Sequence, residues 1–210
     1  MKLLLLDDKG QILSEPYILR LQGWSEERYL HEAPPDQRCE FVEGEVIMYC
    51  PMSTEHSKMV TFLLRLLGDY CDAKNLGEVM SEPTTRLSPG VNRQPDICFV
   101  PREKAHLAKG LPMEVVPPFI IEVSWSTREI DLGEKARDYE RAFVQEYWVV
   151  DIEEKDVVVH ILEQGQYQRS QQKSGRLESR IVSGFYVEID WLWQEPLPSA
   201  WEAVKGILGE

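Results

Sequence analysis

Residues 119–127 read FIIEVSWST, and this stretch decides the fold. Phe119, Ile120, Ile121 and Val123 are apolar at both parities of a two-residue repeat, which describes a strand covered on both faces at the centre of a sheet. Glu122 interrupts that run. An ionised carboxylate is costly to bury alone, so Glu122 is either a strand-end acid paired with an arginine or a member of a polar cleft. Alternation places Ile120, Glu122 and Ser124 on one face of the strand.

The neighbouring sequence supplies its company. PDICFV at 95–100 reads as a second strand after the SPGVNR turn, with 78–88 as another before it. Asp96 shares a face with Cys98 and Val100. It is either a turn acid following Pro95 or a second carboxylate directed into the same cleft as Glu122. Two carboxylates held together repel unless a cation lies between them, and hard oxygen donors imply Mg²⁺ or Mn²⁺ rather than zinc. Downstream, a helix is expected from Asp131 to Ala142, with Asp131 and Glu134 as a capping box and Leu132, Ala136, Tyr139 and Phe143 as its inward stripe. Lys135 lies on the edge of that stripe. It is either a surface lysine whose stem covers apolar neighbours or a cation turned toward the sheet.

Further out, WSEERYL suggests a short helix opened by Ser25, and the APPDQ turn ends it. CEFVEGEVIMY forms two strands around Gly44, and CPMS redirects the chain into a helix over about 54–75 with Met59, Phe62, Leu63, Leu66, Leu67 and Tyr70 on one face. His56 begins that face. EYWVVD, DVVVHIL and GFYVEIDWLW are the remaining expected strands. The order of elements predicts an α/β (α+β) fold with a central mixed sheet flanked by helices. A single domain over 36–194 carries an N-terminal arm (1–35) and a C-terminal tail (195–210).

The chain has 210 residues and a net charge of −13, which opposes a polyanion unless basic groups cluster or bound cations reverse the field. Arg86, Arg93, Arg102, Lys104 and Lys109, followed by Arg128, Lys135, Arg137 and Arg141, are candidates for such a rim. Cys39, Cys50, Cys71 and Cys98 form no CxxC pair, in keeping with reduced thiols and a cytoplasmic protein. The start MKLLLLDDKG is too short for a membrane span. No G-x-S-x-G elbow is present, and the four histidines lack metal-ligand spacing, which disfavours an esterase built on His56.

PD at 95–96, EVSWST at 122–127, D-x-x-x-K-x-x-x-Y at 131–139 and EYWVVD at 146–151 together resemble the Uma2 (DUF820) family of restriction-endonuclease-like proteins. CEFVEGEVIMYCPMSTEHS and GFYVEIDWLW resemble the family's earlier and final segments. The resemblance spans residues 24–193. It implies a PD-(D/E)xK nuclease fold, with Asp96 and Glu122 as catalytic and metal-binding acids, a Mg²⁺ or Mn²⁺ cofactor, and DNA as the partner of a homodimeric endonuclease. The motif lysine is expected two residues after the second acid, where Ser124 stands, and Lys135 matches the displaced position used by some families of this kind. Glu40, Glu45 and His56 match other recurring positions and are possible auxiliary residues. Trp125 replaces a residue that is often small or acidic in the family. The alternative from another class is a non-catalytic binding or scaffold protein that keeps the fold.

Overall fold

Patterning of apolar residues and turn chemistry lays down the elements in a computed structural model that describes residues 18–34, 37–49 and 52–210. The leucine-rich start, the middle of APPDQ and the Cys50–Pro51 part of CPMS lie outside the described residues. The chain begins with β1 (Ile18–Gln22), α1 (Glu26–Glu32), β2 (Cys39–Val42) and β3 (Glu45–Tyr49), then α2 (Thr54–Lys74). There follow β4 (Gly77–Ser81), β5 (Thr85–Ser88), β6 (Val91–Arg93), β7 (Ile97–Pro101), a 3₁₀ turn (Arg102–Leu107) and β8 (Phe119–Ser124). Next come α3 (Arg128–Ile130), a π-helical segment (Asp131–Lys135), α4 (Ala136–Arg141), β9 (Glu146–Asp151), β10 (Asp156–Glu163) and β11 (Gln166–Gln172). The last elements are β12 (Arg176–Glu178), β13 (Tyr186–Glu188), α5 (Ile189–Leu192) and α6 (Ala200–Leu208).

Among the described residues the main sheet has six strands in the order β11-β10-β9-β8-β7-β4, and a second has five in the order β1-β3-β2-β6-β5. β8 runs parallel to β9 and antiparallel to β7, so the main sheet is mixed and β8 lies inside it. All six residues of β8 are buried. On one face, Phe119, Ile121 and Val123 pack with Leu63, Leu66 and Leu67 of α2. On the other, Ile120 packs with Ala136 and Tyr139 of α4 and with Leu87 and Val91 from the five-stranded sheet. Each such fully buried side chain contributes roughly 1.5–3 kcal/mol relative to exposure, so the two faces fix the pitch of β8 and with it the direction of Glu122.

Several boundaries differ from the sequence expectation for local reasons. The stretch 78–88 is not one strand, because Glu82 adopts φ 54° and Pro83 has no N–H to donate; β4 and β5 therefore enter different sheets. The helix after β8 begins at Arg128, behind Thr127, and Asp131 is not its N-cap. Phe143 turns outward at φ 60° and is 67% exposed. GFYVEIDWLW supplies only three strand residues before the turn of α5 buries Ile189 and Leu192. The expected tail contains α6, opened by a Ser199 cap and packed through Ala200, Ala203 and Val204 into the α2 core. β1, from the expected arm, pairs with β3 along its whole length.

Candidate active site

The register of β7 on β8 places Ile97 opposite Ile121, so Asp96, one step earlier, faces Glu122 where the two sheets meet. Both are 1% exposed. Asp96 Oδ2 accepts a hydrogen bond from the Val123 N–H at 2.7 Å, and His56 Nε2 lies 3.3 Å from the same oxygen. Ser53 caps α2 by accepting from the His56 N–H, which fixes where the ring enters. The Tyr139 hydroxyl donates to Glu122 Oε1 at 2.7 Å. These contacts engage Asp96 Oδ2 and Glu122 Oε1, while Asp96 Oδ1 and Glu122 Oε2 meet cations.

Lys135 is also buried, and its ammonium lies 2.9 Å from Glu122 Oε2, 3.1 Å from Asp131 Oδ1 and 3.7 Å from Glu40 Oε1. The π-helical segment explains this inward position. Its wider turn shifts the phase of the helix, so Asp131 and Lys135 both face the sheet; such π turns recur at functional sites. Glu40 is held in turn by the Tyr49 hydroxyl at 2.6 Å and the Arg93 guanidinium at 2.7 Å, and Arg93 also binds Asp138 at 2.6 Å.

Arg38, which carries no signal in the sequence pattern, enters from the irregular residue just before β2. Its Nη1 lies 2.6 Å from Asp96 Oδ1 and its Nη2 3.4 Å from Glu122 Oε2, while Nη2 also donates to the Gln94 carbonyl at 2.7 Å. The Tyr49 ring lies beneath both cations, 5.3 Å from the guanidinium and 5.5 Å from the ammonium. A cavity of about 220 Å³ opens over this group, lined by Arg38, His56, Asp96, Glu122, Trp125 and Lys135 among others.

Electrostatics divide the two acids. Burial would raise the Asp96 carboxyl, but Arg38 foremost, then His56, hold it well below the usual carboxylate range. Burial is the main influence on Glu122 and pushes it up, with Asp96 and Asp131 adding to the rise against Lys135 and Arg38. Glu40 is lowered to about 2, because Lys135, Arg93 and Arg38 overcome its burial. For Lys135, Glu122, Asp131 and Glu40 outweigh burial and keep the ammonium well above its ordinary value, so it remains a cation at neutral pH.

The carboxylate oxygens also bear on metal fit. Asp96 Oδ1 and Glu122 Oε2 are hard donors in a site with more acids than strong cations, which suits an ion such as Mg²⁺ that takes one or two carboxylates and keeps water. Among the described residues no group of three or more His, Cys, Asp or Glu side chains is arranged to hold a metal ion. A divalent ion there would take two carboxylates and water, with Arg38 withdrawn from Asp96 Oδ1 and Glu122 Oε2 shared with Lys135.

A family model described as "Uma2: Putative restriction endonuclease" matches residues 25–190. The chain belongs to the Uma2 family. The fold of this Uma2 protein is also similar to a crystal structure titled a putative nuclease belonging to DUF820 from Anabaena variabilis ATCC 29413, with a TM-score of 0.66 and 15% identity over 81% of this chain and 97% of that one. No curated protein sequence matches. Among the described residues of this Uma2 chain, no helix is long and apolar enough to cross a membrane.

The structure thus brings together Asp96, Glu122, Lys135, Glu40 and His56. Glu45 stands apart, paired with Arg20 at 2.6 Å and absent from the cavity lining. The expected basic rim does not assemble around the cavity. Arg93 is buried, Arg86 binds Glu26 and Glu114, and Arg128 is committed to Asp151 and Asp156. Arg102 and Lys104 follow the far end of β7, about 20 Å from Asp96 at ~3.3 Å per strand residue.

Proposed function

We propose that this Uma2 protein is a divalent-metal-dependent DNA endonuclease in which Asp96 and Glu122 hold the ion and Lys135 is the fixed catalytic cation. The observation that carries this reading is the Lys135 ammonium, buried beside Glu122 at 2.9 Å on the wall of the cavity that Asp96 also lines. Solvated surface lysines have no need of such a position, and a cation buried there is costly unless it works with the acids.

Asp96 and Glu122 would hold a divalent ion, Mg²⁺ or Mn²⁺, which would supply a bound water of lowered pKa and offset charge on the phosphoryl oxygens. The chain's own groups do the rest. Tyr139 fixes Glu122 by one oxygen, and Val123 N–H with His56 fixes Asp96 by one oxygen, so the remaining pair points at the reacting centre. Lys135 stays protonated and therefore acts as a hydrogen-bond donor to the attacking water or to the developing phosphoryl charge, not as a base. Glu40 and Asp131 hold its ammonium in place. Trp125 walls the cavity and limits how a nucleotide enters. Breaks in both strands would call for two copies of the site, hence a homodimer.

The net charge of −13 and the commitment of nearby arginines to internal ion pairs favour a second reading, a binding or scaffold protein that retains the nuclease fold. Incubating supercoiled plasmid with the purified protein separates the two. Nicking with Mg²⁺ or Mn²⁺ that stops with chelator is the expected result; intact plasmid under every metal condition would favour the scaffold.

A further inference from the structure

The two inner oxygens that the proposed metal site requires are the two that Arg38 bridges. We propose that the Arg38 guanidinium holds the place of a divalent cation between Asp96 and Glu122 and transfers to Glu82 when the ion enters. This inference rests on the reading of Asp96 and Glu122 as metal ligands, and it makes Arg38 and Glu82 positioning residues that set how readily the site loads.

Arg38 differs from the other two cations in how it is held. Lys135 and Arg93 are enclosed, with side chains 2% and 1% exposed and each tied to at least two acids. The Arg38 side chain is 15% exposed, lines the cavity, and its Nε has no hydrogen-bond partner among the described residues. Its bond to the Gln94 carbonyl gives the guanidinium a pivot at the cavity wall.

A second acid waits on the solvent side. Glu82 Oε1 lies 3.8 Å from Arg38 Nη1, outside hydrogen-bond distance but within one side-chain adjustment, and the Glu82 side chain is 37% exposed. Glu82 adopts φ 54°, a conformation usually given to glycine or asparagine, and its N–H donates to the Pro95 carbonyl beside Asp96. A glutamate kept at a strained position, tied to the residue preceding the proposed ligand, points to a use for its carboxylate.

Charge explains why the two cations exclude each other. With Lys135 shared among Glu122, Asp131 and Glu40, a guanidinium adds one positive charge to the Asp96–Glu122 pair, whereas a divalent ion adds two and would repel a guanidinium a few ångströms away. Ion binding then reports only the fraction of molecules in which Arg38 has moved, and apparent affinity falls by that fraction. Removing Arg38 abolishes the competition, and removing the Glu82 charge leaves the displaced guanidinium without its acceptor.

Calorimetric titration of the full chain with Mn²⁺ tests this without recourse to activity. Arg38→Met should bind at least ~10-fold more tightly than the original protein. Arg38→Lys, too short to bridge both acids, should fall between. Glu82→Gln should weaken binding several-fold in the Arg38 background and have no effect in Arg38→Met. Asp96→Asn should abolish the site in every background. Equal or weaker Mn²⁺ binding by Arg38→Met, with Asp96→Asn still abolishing it, overturns the displacement and leaves the metal reading intact. Absence of any Asp96-dependent Mn²⁺ binding overturns both. If Arg38→Met does not fold, Glu82→Gln alone decides, and unchanged affinity in that variant overturns the proposal.

Discussion

Two pairs of buried carboxylates lie on the same face of the main sheet, and they have different surroundings. Asp96 and Glu122 face each other at β7 and β8; Asp151 and Asp156 face each other in the register of β9 and β10. All four are 1% exposed. The second pair is fully answered by its neighbours: Arg128, from the start of the helix after β8, bridges both acids, Gln171 donates to Asp156, and the Glu154 N–H donates to Asp151 in the turn that joins the strands. None of its acids lines the cavity. The first pair draws cations from two other parts of the fold, the helix after β8 and the five-stranded sheet, and opens to solvent. Burial of two acids is thus common to a structural clamp and a candidate active site. What separates them is access to the cavity and a second cation, Lys135, enclosed beside Glu122.

Substitutions test that separation unevenly. Lys135→Met should have the largest effect, since it strands Glu122, Asp131 and Glu40 around a neutral side chain. Stability should fall by about 3–5 kcal/mol in urea unfolding, and cleavage per folded molecule by roughly 10²–10³-fold.

Acid should expose a third buried group on this face. His160 stacks on Tyr147, and burial foremost, then Arg169, lowers it to about 4. Because the unfolded chain takes up this proton near pH 6.5, the stabilisation from a neutral His160 is present above 6.5 and lost as pH falls toward 4. That loss is on the order of 2–3 kcal/mol, and His160→Gln should flatten this part of the stability–pH curve.

Arg128→Met should cost less, about 1–3 kcal/mol, because its side chain is 31% exposed and its two acids keep neutral donors. Its cleavage rate per folded molecule should change by less than about tenfold, against the far larger loss at Lys135. Tyr139→Phe should be mildest in stability, about 1 kcal/mol by thermal unfolding, through loss of one hydrogen bond to Glu122.

The sequence displayed the strands around Asp96 and Glu122 because apolar runs and turn residues marked them, and the helix with Lys135 because a stripe surrounded it. It could not show that Lys135 faces inward. Strict 3.6-residue periodicity put Lys135 at the edge and Phe143 inside, whereas the π turn moves Lys135 in and Phe143 is exposed. Asp131 and Glu134 fit a capping box in the sequence, yet the helix starts earlier, at Arg128. Arg38 lies in an irregular segment with no period, and only the meeting of two sheets brings it to Asp96. β11 was missed because QYQRSQQ is a polar edge strand, although the Gln164–Gly165 turn, with φ of 52° and 81°, marks the hairpin that forms it. Glu82 reads as an ordinary turn acid until its φ and its distance to Arg38 are known.

The central claim is that the cavity pair, unlike the clamp pair, performs chemistry. The most direct measurement compares Mg²⁺-dependent nicking of supercoiled plasmid by Asp96→Asn and Asp151→Asn, each normalised to the folded fraction. The account predicts that Asp96→Asn loses at least ~10²-fold while Asp151→Asn stays near the original rate. Metal-dependent nicking that survives in Asp96→Asn, or that falls equally in both, would contradict it.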